Sequence, residues 1–389
     1  MLSKKYFGEI LSMEKINYFS ADYRDGLVTM AGKTYPAGTF ATHLLNQYYE
    51  NDTVARISVF TVKNWHLQDT LEKGYVDPDL FEEAGEELLL RFRALPWLKP
   101  FDRLDLESEK IRIKNLFTRD KAEIIVDYYH RKAKVHIMPW DMAYLDHVPE
   151  EYDKYFFKYA SGLADEALRT LKFYESIGND ATVAFKNFRE FTKRLDDAKR
   201  LDEANLLPIA MEIFERPYFP VNVEYVSVKK TAKSKSVTLA KRMYFDNYYS
   251  FIVTDFFEGL HYGHYPRRCP ICKKYFLMES ARRQTYCNGY SPYEINGKKI
   301  TCKKYAARIN RKELAENDPV NAIYKNCCSA IRVKYSRGEI TEEIKKIACE
   351  IAKENYQTAK FDDNYANNQY IIDMKANDIC EKAKEKQIS

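Results

Sequence analysis

Three observations predict a mainly α-helical protein of the α+β class: a helical N-terminal domain with a small β element, a compact cysteine-bearing module, and C-terminal helices. Gly and Pro are scarce, 13 of each in 389 residues, which disfavours a turn-rich β architecture. Apolar residues recur at helical spacing through most of the first 215 residues and again beyond residue 313. Half of the eight cysteines fall between Arg267 and Lys312. With 45% hydrophobic and 31% charged residues the composition is that of a folded, soluble protein, long enough for two or three domains. The expected divisions are 1–215, a bridge over 216–266, the module at 267–312, and 313–389.

Residues 16–37 read as short strands around the turn signal Asp25-Gly26, and a helix follows from Thr39 to about Glu50 with Phe40, Leu44, Leu45 and Tyr48 on one face. Residues 54–62 form another short apolar segment. Asp77-Pro78 places a capping side chain directly before a proline at the first helical position, and the stripe Leu80, Phe81, Ala84, Leu88, Phe92 carries that helix to Pro96. Residues 97–105 read as a loop. The stretch 107–135 reads as a helix followed by a strand. A long helical region opens at Pro149-Glu150, with a stop expected at Gly178-Asn179 and an interruption at Pro208.

In the bridge, Val221–Val228 alternates as a strand does. Lys229–Arg242 holds six basic residues and no acidic one, and reads as a solvated loop or as a flexible arm that meets a polyanion. Tyr244–Leu260 is a strongly aromatic helix and a core element.

Cys269 and Cys272 form a C-P-x-C pair, Cys287 follows after fourteen residues and Cys302 after fourteen more. Two thiolates two residues apart can bind one metal ion from a tight turn, and four complete a closed tetrahedron, which points to structural zinc held by Cys269, Cys272, Cys287 and Cys302. His261 and His264 lie just upstream and offer alternative ligands, although beside a complete four-thiolate set they read as locally satisfied histidines. Tyr275-Phe276-Leu277 reads as the strand leaving the knuckle, Asn296-Gly297 as a hairpin turn, and Cys302 as the head of the helix KKYAARINRK. On that helix Lys304, Arg308, Arg311 and Lys312 share one arc, opposite Tyr305, Ala306, Ile309 and Cys302. From Arg267 to Lys312 there are 13 basic and two acidic residues, a local net of +11 in a chain of net +5. Such a concentration is the footprint of a polyanion binder, and Arg282 and Arg283, in the loop between the second and third cysteines, extend the expected contact surface.

The run Pro-Arg-Arg-Cys-Pro-x-Cys-x-x-Tyr-Phe-Leu, then Tyr-Cys-Asn, then Gly-Lys-x-x-x-Cys-Lys, resembles an uncharacterised bacterial family that carries this cysteine cluster after an aromatic helix. It is similar, more distantly, to the CGNR-type zinc fingers of bacterial regulators, in which a cysteine heads an Arg-rich helix. The resemblance spans roughly residues 244–336 and implies a treble-clef-like zinc module and DNA binding. This chain departs from the CGNR type in two places: Lys303-Lys304-Tyr305 stands where Gly-Asn-Arg follows the fourth cysteine, and a hairpin separates the last two ligands.

The expected function is therefore that of a zinc-stabilised nucleic-acid-binding protein, a bacterial regulator acting on DNA in preference to RNA. An alternative is a zinc-stapled protein–protein interaction module that docks an acidic partner. A second alternative is a HEPN-like ribonuclease, because Arg131 and His136 match an Arg-x4-6-His spacing, although residues 134–138 read as strand. The sequence contains no P-loop, no G-x-G-x-x-G, no G-x-S-x-G and no zinc-deaminase pairing, and no catalytic residue is assigned. Asp318-Pro319 and Thr341 start two further helices that carry the packing residues Cys327, Cys328 and Cys349 and offer a contact for a homodimer; the segment from Phe361 has no clear pattern. No apolar run reaches membrane-spanning length, the N-terminus lacks a signal-peptide core, and unpaired cysteines suit a reducing compartment, so the expected location is the cytoplasm, with no membrane partner.

Overall fold

The computed structural model describes residues 19–57, 62–135, 154–197, 203–215, 220–229, 234–279, 284–295 and 297–388. Among these the chain is mainly helical with small antiparallel sheets, the α+β class that the sequence predicts. It divides into two units: Met1–Arg268 with Lys273–Gln284, and Cys269–Cys272 with Thr285–Ser389.

The first unit opens with strands β1 (Phe19–Arg24), β2 (Leu27–Met30) and β3 (Lys33–Pro36). Asp25 (φ 50°) and Gly26 (φ 72°) both adopt positive φ, as a two-residue hairpin turn requires. The sheet is completed from far along the sequence by β4 (Asn222–Lys229) and β5 (Val237–Phe245), in the order β3-β2-β1-β5-β4 with every neighbour antiparallel. Much of the segment read as a solvated loop or arm is thus strand. Two of its charges are matched, one across the sheet and one by the helix that follows. Arg242 donates to both carboxylate oxygens of Asp22 at 2.8 and 3.0 Å, and Lys241 lies 3.4 Å from Glu258.

Around the sheet lie α1 (Thr39–Gln47), α2 (Thr53–Ile57), α3 (Val62–Glu72), α4 (Pro78–Arg91), α5 (Leu106–Leu116), α6 (Arg119–Val135), α7 (Lys154–Asp197), α8 (Glu203–Ile213) and α9 (Tyr248–His261). Helix α4 starts as its sequence predicts, with the Asp77 carboxylate accepting from the Asp79 N–H. Residues 107–135 form two helices and no strand. The Asp105 side chain caps the first of them, and Ile113, Leu116, Ala122 and Ile125 are buried at helical spacing. Helix α7 runs for 44 residues straight through Gly178-Asn179. A glycine inside a helix costs about 1 kcal/mol. The fully buried Ile177, Ala181, Ala184 and Phe188 flank it, and burying a single large apolar side chain contributes about 1.5–3 kcal/mol. Pro208 likewise sits inside α8 without ending it.

The aromatic helix α9 is the centre of the first core. Phe256 packs its ring against Phe188, Phe191 and Phe214 at centroid separations of 5.1, 5.0 and 5.3 Å. The same helix supplies the cap that α1 lacks. Gly38 stands at the α1 N-cap and has no side chain to offer, and the wholly buried Asp255 carboxylate accepts from the N–H groups of Gly38, Phe40 and Ala41 at 3.0, 2.8 and 3.2 Å. This close approach requires Gly259, where a Cβ would meet the Ala37 carbonyl oxygen at 2.7 Å. Strands β6 (Tyr265–Arg268) and β7 (Tyr275–Met278) follow and pair antiparallel.

The second unit contains the hairpin β8 (Tyr290–Ile295) and β9 (Lys298–Thr301), then α10 (Cys302–Asn317), α11 (Pro319–Ser336), α12 (Glu342–Phe361), α13 (Asp363–Asn368), α14 (Tyr370–Asp373) and α15 (Ala376–Ile388). Gly297 takes φ 68° in the hairpin turn; Asn296 lies outside the described residues. Asp318 and Thr341 cap α11 and α12 as their sequence positions predict. The segment beyond Phe361 folds into three helices. Tyr370, Ile379 and Ala383 join Ile331, Ala348 and Ala352 in a second core, where Cys327, Cys328 and Cys380 are buried. Burial pushes the Cys327 thiol up to about 12, as suits an inert packing residue. Among the described residues no helix is long and apolar enough to cross a membrane.

Candidate metal centre

The four cysteines predicted as ligands come together. Cys269 and Cys272 lie in the turn between β6 and β7, Cys287 lies in the loop before β8, and Cys302 is the first residue of α10. Their four sulfur atoms all lie within 4.8 Å of one another, and the Cys272 and Cys287 sulfurs are 3.6 Å apart. Metal–sulfur bonds of about 2.3 Å in a tetrahedron place the sulfurs about 3.8 Å apart, whereas a disulfide would need about 2.05 Å. All eight cysteines are free thiols. The donor set therefore fits one tetrahedral metal ion.

Local backbone geometry explains how short peptide segments reach this arrangement. Pro270 stiffens the first turn, and Lys273 takes φ 62° immediately after Cys272, reversing the chain into β7. The Cys302 N–H, which has no partner within its own helix, donates to the Gly289 carbonyl at 2.8 Å and ties the start of α10 to the loop that carries Cys287. Cys269 and Cys302 are fully buried.

The electrostatics favour a cation. Burial raises the Cys269 thiol, but the N–H groups of Cys272, Cys287 and Ile271 outweigh it and draw the value down to about 7. Burial pushes Cys287 up to about 11 even though the Gly289 N–H favours its thiolate. Cys302 is held far above the usual thiol range by burial and by the neighbouring Cys287 and Cys272 sulfurs. Backbone donors are thus aimed at sulfurs that cannot all ionise beside one another. A bound dication would remove that repulsion.

The neighbouring histidines are placed elsewhere: the His264 Nδ1 faces the Ala37 carbonyl at 3.2 Å, and the His261 ring packs against Tyr262. Among the described residues no histidine joins the cluster. Of the basic residues predicted to make contacts, Lys304, Arg308, Arg311 and Lys312 are all exposed on α10, while Cys302 and Ala306 on the opposite side are buried. Lys303 is exposed as well, and Lys312 lies 3.8 Å from Glu316. Arg282 and Arg283 lie outside the described residues. So does His136 of the ribonuclease-like pair; its companion Arg131 is on α6, bonded to Asp127 at 2.7 Å and stacked over Phe156 at 4.6 Å.

Sequence reasoning left Tyr290 and Tyr293 without a role and placed Tyr305 only on the apolar side of its helix. Tyr290 and Tyr293 are 71% and 55% exposed on β8, and Tyr293 stacks on Tyr305 of α10 at 5.1 Å and 21°. The signal was present as three tyrosines within sixteen residues, interleaved with the pairs Lys298-Lys299 and Lys303-Lys304.

Fold and site together define a mainly helical protein with a four-cysteine cluster able to hold a metal ion. Residues 216–386, from the β4 region to the last helix, match a family of unknown function (DUF6076). No curated protein and no solved structure shows significant similarity to the chain.

Proposed function

We propose that this protein is a nucleic-acid-binding regulator of the bacterial kind, with DNA preferred over RNA, whose contact helix is held by one structural zinc ion. The observation that carries the reading is the division of α10, with Cys302 and Ala306 buried and Lys304, Arg308, Arg311 and Lys312 exposed. Zinc is the choice among tetrahedral metals because four thiolates with no open position match its structural sites. Its role is to fix the start of α10 against the β8–β9 hairpin, so that the basic arc is presented on a rigid element. The free state of all eight thiols suits a cytoplasmic protein. A homodimer through the C-terminal helices belongs to the same proposal, supported by the exposed Phe361, Ile371 and Ile372.

Metal analysis of the purified full chain is expected to give one zinc per chain. Binding to mixed-sequence duplex DNA and to RNA, measured at several salt concentrations, tests the rest. Each lysine or arginine that contacts a phosphate adds about 0.9 to the slope of log affinity against log salt. Arg308 lies in the centre of the arc and Lys303 outside it, so Arg308→Ala is expected to weaken binding more than Lys303→Ala at equal zinc content. Equal losses refute the assigned face. Absence of binding at low salt would assign the basic arc to an acidic protein partner instead.

A further inference from the structure

We propose that the cysteine module recognises unpaired nucleic-acid strands, with Tyr290 and Tyr293 as stacking surfaces for bases beside the basic arc of α10. The proposal rests on the nucleic-acid reading above and specifies its substrate. Duplex DNA offers phosphates and groove edges to a basic helix, and its base faces are hidden in the stack. Exposed aromatic rings next to cations have a different use: each unpaired base presents a π-face, and lysine or arginine tracks the backbone that carries it.

The geometry supplies both components in one unit. Tyr290 is 71% exposed and lies opposite Thr301 in the hairpin register, one residue before α10 begins. Tyr293 is 55% exposed, and its ring is stacked on Tyr305, one turn into α10. That stack holds one face of the Tyr293 ring against protein and fixes its orientation. Tyr305, which the sequence groups with the side opposite the arc, is half-buried at the edge of that side, and Arg308 follows it at i+3, so Arg308 belongs to the helix surface next to the stack. Lys298, Lys299, Lys303 and Lys304 are exposed along the hairpin and the start of the helix, and from Gln284 to Lys312 the sequence carries seven basic residues against the single acid Glu294. Unlike the buried Tyr248 and Tyr370 of this same chain, the Tyr290 and Tyr293 rings are open to a ligand. The charge also argues against a second copy of the chain as the occupant, because two such surfaces repel.

The test uses the zinc-loaded full chain and fluorescence anisotropy with three probes of equal length: oligo-dT, oligo-U and a mixed-sequence duplex. The expected result is tighter binding to the single strands than to the duplex at equal salt, and either sugar satisfies the proposal. Tyr290→Ala is expected to weaken single-strand binding roughly tenfold, the effect of losing one base–aromatic stack, and to leave duplex binding unchanged. Tyr290→Phe is expected to retain single-strand affinity, because the ring and not the hydroxyl does the stacking. Since Tyr290 is so exposed, zinc content and thermal stability of these variants should match those of the parent. Duplex binding as tight as single-strand binding, or full single-strand affinity in Tyr290→Ala, overturns this inference and leaves the nucleic-acid reading standing. No binding to any of the three probes at low salt overturns both.

Discussion

Asp255→Ala removes the acceptor for three backbone N–H groups at the start of α1. The carboxylate is wholly buried, so water cannot replace it at Gly38, Phe40 and Ala41. Leaving a buried donor without a partner costs about 1–3 kcal/mol, and three such donors together with a new cavity put the loss on the order of 4 kcal/mol. That is a large share of the total stability of a domain. Asp255 also gives the first unit a distinctive pH response. Burial pushes its carboxyl up to about 7 against the pull of the three N–H donors, while in the unfolded chain the group titrates near about 4. A raised carboxyl pKa stabilises the folded state fully below the unfolded value, and the contribution is lost as pH rises through the folded one. Between pH 5 and 8 the parent is therefore expected to lose about 3 kcal/mol relative to Asp255→Asn, which keeps an acceptor oxygen and cannot titrate. Asp180 and Glu175 are also raised by burial and slope the same way, so the difference between the two proteins is the quantity to read. Urea unfolding followed by tryptophan fluorescence reports on this unit, because all three tryptophans, Trp65, Trp97 and Trp140, precede residue 216. A pH profile of Asp255→Asn parallel to that of the parent, or a cost below about 1 kcal/mol for Asp255→Ala, refutes the reasoning.

Gly85→Ala would place a Cβ 2.3 Å from the Cβ of Phe117, a contact only backbone movement can relieve, and is expected to destabilise the first unit by about 1–3 kcal/mol in the same urea assay. Thiol titration after chelation should release the four module cysteines first, because the module loses its fold with the metal, while Cys327, Cys328 and Cys380 stay buried in the second core until the C-terminal helices unfold. Cys272→Ser should lose the metal and most nucleic-acid affinity with the urea transition of the first unit unchanged, as metal analysis, anisotropy and tryptophan fluorescence would show.

What was legible in the sequence followed from residues whose chemistry allows one use. Asp77-Pro78, Asp318-Pro319 and Thr341 marked helix starts because a capping oxygen and a preset φ are local requirements, and each structure-borne cap is the one the sequence named. Gly178-Asn179 misled because the local preference for a stop is worth about 1 kcal/mol and the buried residues on either side outweigh it. Strand β4 was legible in Val221–Val228, but β5 misled for a different reason. Its partner β1 lies more than two hundred residues away, and the Asp22–Arg242 pair that neutralises part of the basic run cannot be seen from the run itself. Asp255 was equally hidden: a carboxylate in an apolar helix shows its purpose only when the uncapped start of α1 is brought against it.

The cysteine cluster was legible because a tetrahedron of sulfurs dictates both residue type and spacing, whereas the charge around it has two readings that the sequence does not separate. Four thiolates around a dication would carry two net negative charges, so two of the thirteen basic charges within the same 46-residue stretch would suffice to balance the site itself. The remainder exceeds what the cluster requires several-fold, and on α10 it is exposed on the side away from Cys302. Removing the metal with reprotonation of the thiols would make the module more positive, not less. If charge alone drew a polyanion to this protein, the metal-free form would bind it more tightly. If the metal acts by holding α10 and the tyrosines of the hairpin in one rigid surface, affinity falls on metal loss in spite of the added charge. The backbone tie from Cys302 to Gly289 and the Tyr293–Tyr305 stack, both within reach of the fourth ligand, favour the second of these.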